Sequence, residues 1–310
     1  MTSAVGAAAV PARVEGRRTP RRRSPEAAAW LLIAPSLVLA LAIIGYPLFE
    51  ILRLSVSDVS RFGLVRGFSG GDNFARIGAD PIFHAALLRT LEWTLWVVGG
   101  TVVVSLPVAL ILALVFYGRG LARTVVMLPW SIALSMAAIV WLWAFNADYG
   151  MINATLRQMG ILSSPLQWMA RPETAFPAEI LVGILVSIPF TVTILLGGLS
   201  SIPTDIYEAA HIDGARPWQS FVFLTLPMLG PFINIAVVLN AIHVFNSFPI
   251  IWVMTQGGPN NSTHILVTYL YEMSFYLGRP GPAAAVSLVV LVIVFSFTAI
   301  YMRLRARDGI

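Results

Sequence analysis

The stretch EILVGILVSIPFTVTILLGGL, residues Glu179–Leu199, carries one charge, at its first position, and is otherwise apolar or weakly polar. At 1.5 Å of rise per residue, roughly 20 such residues form a helix long enough to cross a hydrocarbon core of about 30 Å. Five more stretches read the same way: Ala28–Phe49, Leu91–Tyr117, Thr124–Phe145, Pro231–Met254 and Ala283–Met302. Pro35, Pro107 and Pro189 lie inside three of the six, which predicts kinks that neighbouring helices support. The fold expected is therefore all-α: a polytopic membrane protein with six transmembrane helices.

Composition agrees. Of 310 residues 57% are hydrophobic and 11% charged, and the mean hydropathy is +0.80, values foreign to a soluble surface. All 20 cationic residues are arginine, and both lysine and cysteine are absent. The chain therefore holds no P-loop lysine, Schiff-base lysine, thiolate nucleophile, disulfide or cysteine-ligated metal. Any ATP chemistry must come from another chain. The net charge of +5 comes with six arginines before residue 24 and three after residue 302. Charge at the tails of an apolar chain reads as membrane flanking rather than as a nucleic-acid interface.

Domain boundaries follow. Residues 1–27 read as a disordered, Arg-rich cytoplasmic tail, 28–302 as the membrane domain and 303–310 as a second cytoplasmic tail. The Arg21-Arg22-Arg23 run before an apolar stretch resembles a twin-arginine signal, but the stretch is long and five spans follow it, so a retained first helix is expected. With six spans both termini share one side. The two tails and the segments 118–123 and 200–230 hold 12 arginines against 8 in the alternate loops, which predicts termini inside. The first external loop opposes the trend with Arg53, Arg61, Arg66, Arg76 and Arg89.

Between spans four and five runs a polar segment, 205–221. It contains Tyr207-Glu208-Ala209-Ala210-His211-Ile212-Asp213-Gly214-Ala215-Arg216-Pro217-Trp218-Gln219-Ser220-Phe221 and leads to Leu226-Pro227. Its chemistry predicts a short helix with small residues that allow another surface to approach closely, a turn at Gly214, and a second helix opened by Pro217. Joined to two spans, such a helix–turn–helix forms a lever.

The same residues resemble the cytoplasmic coupling motif of permease subunits of bacterial ABC importers. Glu208, Ala209, Ala210, Gly214, Leu224, Leu226 and Pro227 fall on the motif, with Leu224 where isoleucine is common. Two further stretches resemble the carbohydrate branch of that family, the type found with maltose and glycerol-3-phosphate systems. One is Gly70-Gly71-Asp72-Asn73-Phe74 through Asp80-Pro81-Ile82-Phe83. The other is Phe245-Asn246-Ser247-Phe248-Pro249 through Thr255-Gln256-Gly257-Gly258-Pro259. With Arg119–Thr124 and Leu128-Pro129-Trp130, the resemblance runs from about residue 28 to the end.

That resemblance implies an inner-membrane permease for a sugar, of di- or oligosaccharide size. It implies four partners: a second homologous permease, two ATPase subunits that bind ATP and Mg, and an extracytoplasmic sugar-binding protein. It places Glu208, Ala209, Ala210, Asp213 and Gly214 against the ATPase, and Gly257, Gly258 and Pro259 in a loop that meets the binding protein or the substrate. This chain is then no enzyme and carries no cofactor; membrane lipid surrounds it, and nucleic acid is no partner.

Asn240, His243 and Ser247 recur at i, i+3 and i+7, with Asn246 beside them. Polar side chains at mid-membrane depth either line a substrate path or hydrogen-bond neighbouring helices, and spacing alone leaves both open. Trp130, Trp141 and Trp143, at the ends of span three, read as interfacial anchors rather than sugar platforms. The sequons at Asn153 and Asn261 read as chance, and His84, His211, His243 and His264 show no metal-ligand spacing. A secondary transporter is the rival reading, but it needs intramembrane carboxylates, and Glu50, Glu92 and Glu179 sit at predicted span ends. A membrane hydrolase is weaker still, for want of a nucleophile–base pair, and glycerol-3-phosphate stands as the alternative cargo.

Overall fold

A computed structural model of the chain describes residues 25–307. The predicted tail 1–27 lies outside those residues except for the first turn of a helix that begins at Pro25, and 308–310 lie outside them too. The chain divides into two compact units, Met1–Glu50 and Ile51–Ile310.

The first unit carries α1 (Pro25–Ala40), with Pro35 inside it, and a wide π-turn at Leu41–Gly45. Helix α2 follows at Tyr46–Ser55.

In the second unit the loop after α2 is partly ordered as an antiparallel hairpin, β1 (Ser57–Val59) and β2 (Val65–Phe68), with a bulge between Asp58 and Val59. The all-α expectation omits this hairpin. Next comes α3 (Asp72–Gly78), whose Asn73 is 3% exposed and donates through Nδ2 to the Ser55 and Ser57 carbonyls, at 2.9 Å each. Helix α4 (Pro81–Ala113) begins ten residues before the predicted start. Asp80 caps it, accepting from the Ile82 N–H at 2.8 Å, and Pro81 takes the first helical position. These are local helix-start chemistries that a hydropathy window does not weigh.

The remaining helices are α5 (Arg119–Met127), α6 (Leu134–Ala144), α7 (Met151–Gln158), α8 (Pro172–Ser201), α9 (Thr204–Ile212), α10 (Pro217–Ser220), α11 (Leu226–Phe245), α12 (Phe248–Met254), α13 (Leu266–Tyr271) and α14 (Pro280–Arg307). Among the described residues five helices are long and apolar enough to span a membrane, and a sixth span is counted if the bent pair α5 and α6 is taken as one. That pair corrects the continuous third span predicted at Thr124–Phe145. The helix tightens into a 3₁₀ turn at Leu128–Ser131, where Pro129 cannot donate to the helical ladder, and the axis turns by 98°. The predicted fifth span, Pro231–Met254, is also corrected. Its helix runs from Pro217 to Phe245 and stops at Asn246 and Ser247, and Pro249 opens the separate α12. Past Met302 the chain continues as helix through Arg307 rather than leaving it as a tail.

Helices α4, α8 and α11 pack as the central trio. Small residues set their closeness. A Cβ on Gly183 would come within 2.9 Å of Trp93 and Val97, and one on Gly198 within 2.8 Å of Leu229. Between spans in lipid, where apolar burial supplies little drive, such close approach maximises dispersion contact. Trp93, 0% exposed, adds a polar tie by donating Nε1 to the Val244 carbonyl at 3.0 Å. A second cluster joins α3, α4, α13 and α14 around Ala86, Leu266 and Val286.

Candidate functional site

The coupling segment forms as its composition predicts. Helix α9 ends with the two bonds of a Schellman motif: the Ala215 N–H donates to the Ala210 carbonyl at 2.9 Å, and the Gly214 N–H to the His211 carbonyl at 3.1 Å. Gly214 sits at φ +77°, and an added Cβ there would meet nothing within 4 Å. Glycine is therefore required for its backbone angle and not for packing. Pro217 takes the first position of α10, and the Gln219 side chain accepts from the Arg216 N–H at 2.7 Å.

Both ends of this unit are held. Ile202 and Pro203 alone separate it from α8, and the Tyr207 hydroxyl lies 3.0 Å from Thr225 Oγ1 at the foot of α11. Glu208, Ala209, Asp213 and Gly214 are exposed and Ala210 is half-buried. Ile212 and Trp218 are exposed beside them, and a groove of ≈ 380 Å³ runs along Asp213, Ala215 and Phe223. Four of the five predicted coupling residues are thus exposed, and Ala210, Asp213 and Gly214 line the groove beside apolar side chains that water does not suit.

A second feature is a cavity of ≈ 360 Å³ between α8, α11 and the kink that joins α5 to α6. Asn240 and His243 line it from α11, Ser187 and Phe190 from α8, and Trp130 from the kink. Asn240, 2% exposed, donates Nδ2 to Thr191 Oγ1 and to the Ala236 carbonyl, both at 2.8 Å. The residue is therefore both helix–helix glue and cavity lining. Asn246 and Ser247 lie past the end of α11, so the i+7 face expected for Ser247 does not exist; neither lines the cavity. Trp130 does not anchor the end of a continuous span: it lies in the kink, its ring centroid 6.1 Å from that of Phe190. Ser187 and Thr191, spaced i, i+4 on an apolar helix, were the sequence signal for this polar face.

The third feature is the 255–265 loop. Gly257 has φ +86°, and a Cβ there would run into the imidazole of His264. His264, 1% exposed, contacts Glu272 Oε2 through Nε2 at 2.8 Å and Thr268 Oγ1 through Nδ1 at 3.1 Å. Burial holds its pKa below the ordinary histidine value, against the opposing pull of Glu272. Glu179, read from sequence as a span-end charge, lies seven residues inside α8 and is 0% exposed. Thr255 donates to its Oε1 at 2.7 Å. The loop is thus a packed structure, and Gly257, Gly258 and Pro259 form its turn.

A bundle of apolar spans, an exposed helix–turn–helix and a mostly apolar cavity edged by Ser187, Asn240 and His243 are the features a membrane transport subunit needs. The chain belongs to the family described as binding-protein-dependent transport system inner membrane component, which matches residues 105–307. It is similar to a probable ABC transporter permease protein of Brucella suis biovar 1, with 55% identity over 90% of this chain and 96% of that one. It is also similar to a trehalose/maltose transport system permease protein of Thermococcus litoralis, with 33% identity over 88% of this chain and 92% of that one. Among solved structures it superposes on a chain of a bacterial alginate ABC transporter in complex with an alginate pentasaccharide-bound periplasmic protein. There the TM-score is 0.79, the identity 22% and the coverage 93% of this chain and 98% of that one.

Proposed function

We propose that this chain is the permease subunit of an ATP-driven importer of a di- or oligosaccharide. In that reading it pairs with a second homologous permease, two ATPase subunits bind ATP and Mg, and an extracytoplasmic binding protein delivers the sugar. The chain lies in the bacterial inner membrane with α9 and both termini on the cytoplasmic side, and it moves its substrate without chemical change. Closure of the ATPase pair pushes on α9, and α8 and α11 carry the push to the cavity between them.

The observation that carries the proposal is the mounting of α9. An exposed helix of small residues, fixed by a Schellman turn at one end and a two-residue joint to α8 at the other, can transmit force. The names of the trehalose/maltose relative and the alginate transporter support a sugar. The cavity supports it too. His243 is the one titratable side chain among the residues that line it, and no arginine does; hydroxyls suit such a lining better than a phosphate.

Glu208→Lys tests the coupling role by reversing a charge on the docking surface. Lost uptake and lost ATPase association, with normal membrane insertion, are expected. Native uptake at matched abundance would refute the role.

A further inference from the structure

Glu179 holds a buried node that the transport reading leaves unused. Its side chain is fully enclosed, and Oε2 has no partner among the described residues. A carboxyl group at such a position is costly and marks a site where something other than packing is served. Oε1 accepts from Thr255 Oγ1 at 2.7 Å. Thr255 Oγ1 accepts from the Gly257 N–H at 3.3 Å and lies 2.6 Å from Thr263 Oγ1, and with the Thr255 proton on Glu179 the single Thr263 proton goes either to Thr255 or to the Gly258 carbonyl at 2.9 Å. The loop is therefore joined to one oxygen of α8 through the Thr255 hydroxyl, around which Gly257 and Thr263 pack. Helix α4 holds the loop from another side, where Arg89 Nη1 donates to the Asn261 carbonyl at 2.7 Å.

Helix α8 is continuous from Glu179 to Ser201, about 33 Å along its axis at 1.5 Å per residue. Beyond Ser201 only Ile202 and Pro203 precede α9. The loop and the coupling helix thus sit at opposite ends of one unbroken helix, with Pro189 inside it.

We propose that Glu179 is a positioning residue that latches the 255–263 loop to α8, so that the state of the coupling helix is passed along α8 to the loop at the far end. The latch itself stands on the hydrogen-bond geometry. Its link to the ATPase rests on the coupling role of α9 proposed above. Coupling free energy is reciprocal, so the link can be read from the nucleotide end, without knowing the sugar.

The test places a reporter at Ser262, whose hydroxyl oxygen is buried in the packed loop without a hydrogen bond among the described residues, so that a thiol there is labelled only as the loop opens. Ser262→Cys introduces the sole thiol of this chain, because native cysteine is absent. In the assembled four-part complex, with partner cysteines removed, its maleimide labelling rate is measured with and without MgATP plus vanadate. The ratio of the two rates reports transmission, and a merely structural residue would change both rates together.

Glu179→Gln keeps an oxygen that accepts from Thr255 and should keep the native ratio. Glu179→Ala removes the acceptor and should bring the ratio about tenfold closer to one, or to one, the scale of one buried hydrogen bond. If the alanine variant does not assemble, Thr255→Val, which removes the hydroxyl at similar volume, takes its place with the same expectation. A native ratio of one, a native ratio in Glu179→Ala, or a glutamine variant as defective as the alanine would each overturn the proposal. Gly214→Ala, which strains the turn after α9 without reversing a charge on the docking surface, separates the two ideas in the same background. If it leaves the ratio native, the coupling role of α9 fails and the link fails with it; if it abolishes the ratio while Glu179→Ala does not, the latch alone fails.

Discussion

Replacing Gly214 with alanine adds one methyl group to open space and nothing else, since a Cβ there meets no atom within 4 Å. The whole cost is then the backbone angle. At φ +77° an L-residue with a Cβ is strained by about 1–2 kcal/mol. The chain can relieve that strain only by giving up the Schellman bonds from Gly214 and Ala215, which frees the Ala210 and His211 carbonyls and lets α9 swing on its C-terminal side. A shift of that size changes the population of the native lever by roughly 5- to 30-fold. Uptake by Gly214→Ala should fall by a factor in that range at matched membrane abundance. Asparagine tolerates the left-handed region far better than alanine, so Gly214→Asn should retain most of the activity despite its larger side chain. Uptake and quantitative membrane immunoblotting of the two variants side by side give the answer. An alanine variant equal to the native chain, or an asparagine variant that falls as far as alanine, would refute the backbone argument.

Three further outcomes are expected. Asn240→Leu removes the donor to Thr191 and a polar group of the cavity. It should lower the thermal stability of the purified complex by about 1 kcal/mol and also alter the sugar profile; unchanged selectivity in assembled complexes would reduce Asn240 to a packing role. Because burial lowers the pKa of His264, the opened loop binds a proton more readily than the packed one. The contribution of His264 is complete above the ordinary histidine value and is lost as the pH falls below it through the lowered value of the packed loop. The drop in melting temperature over that interval should shrink in His264→Gln, and an identical drop in both proteins would contradict it. Single cysteines at Glu208 and Gln167 in the otherwise cysteine-free chain should label from opposite sides of sealed right-side-out cells, Gln167 alone from outside; labelling of position 208 from outside would invert the proposed orientation. Asn73, in the loop between the first two spans, is buried in hydrogen bonds and unsuitable as a reporter.

The coupling segment was legible in the sequence because every device in it is local: a glycine after the last helical turn, a proline that opens the next helix, and small residues on the exposed face between them. The spans were legible as apolar stretches but not their interruptions. Leu128-Pro129-Trp130 and Asn246-Ser247 sit within windows whose hydropathy never falls far enough to mark a 98° bend or a helix end. Glu179 was misplaced for a different reason. The residues before it, Pro172 to Ala178, hold two prolines and a glutamate yet are helical, and its partner Thr255 lies 76 residues away in the chain. A hydrogen bond across that separation leaves no periodic trace. The cavity was half legible: Asn240 and His243 share a helical face, whereas Trp130 and Phe190 meet there only because the kink folds α5 back toward α8.

As proposed, nucleotide hydrolysis acting on α9 drives transport through this chain. The direct measurement is uptake into sealed proteoliposomes that contain this chain, its permease partner and the ATPase subunits, with the loaded binding protein on the opposite side from ATP. Sugar should accumulate only when ATP and binding protein are both present, at a rate that falls with Gly214→Ala in step with uptake in cells. Accumulation by this chain without the ATPase subunits, driven by an ion gradient, would contradict the account.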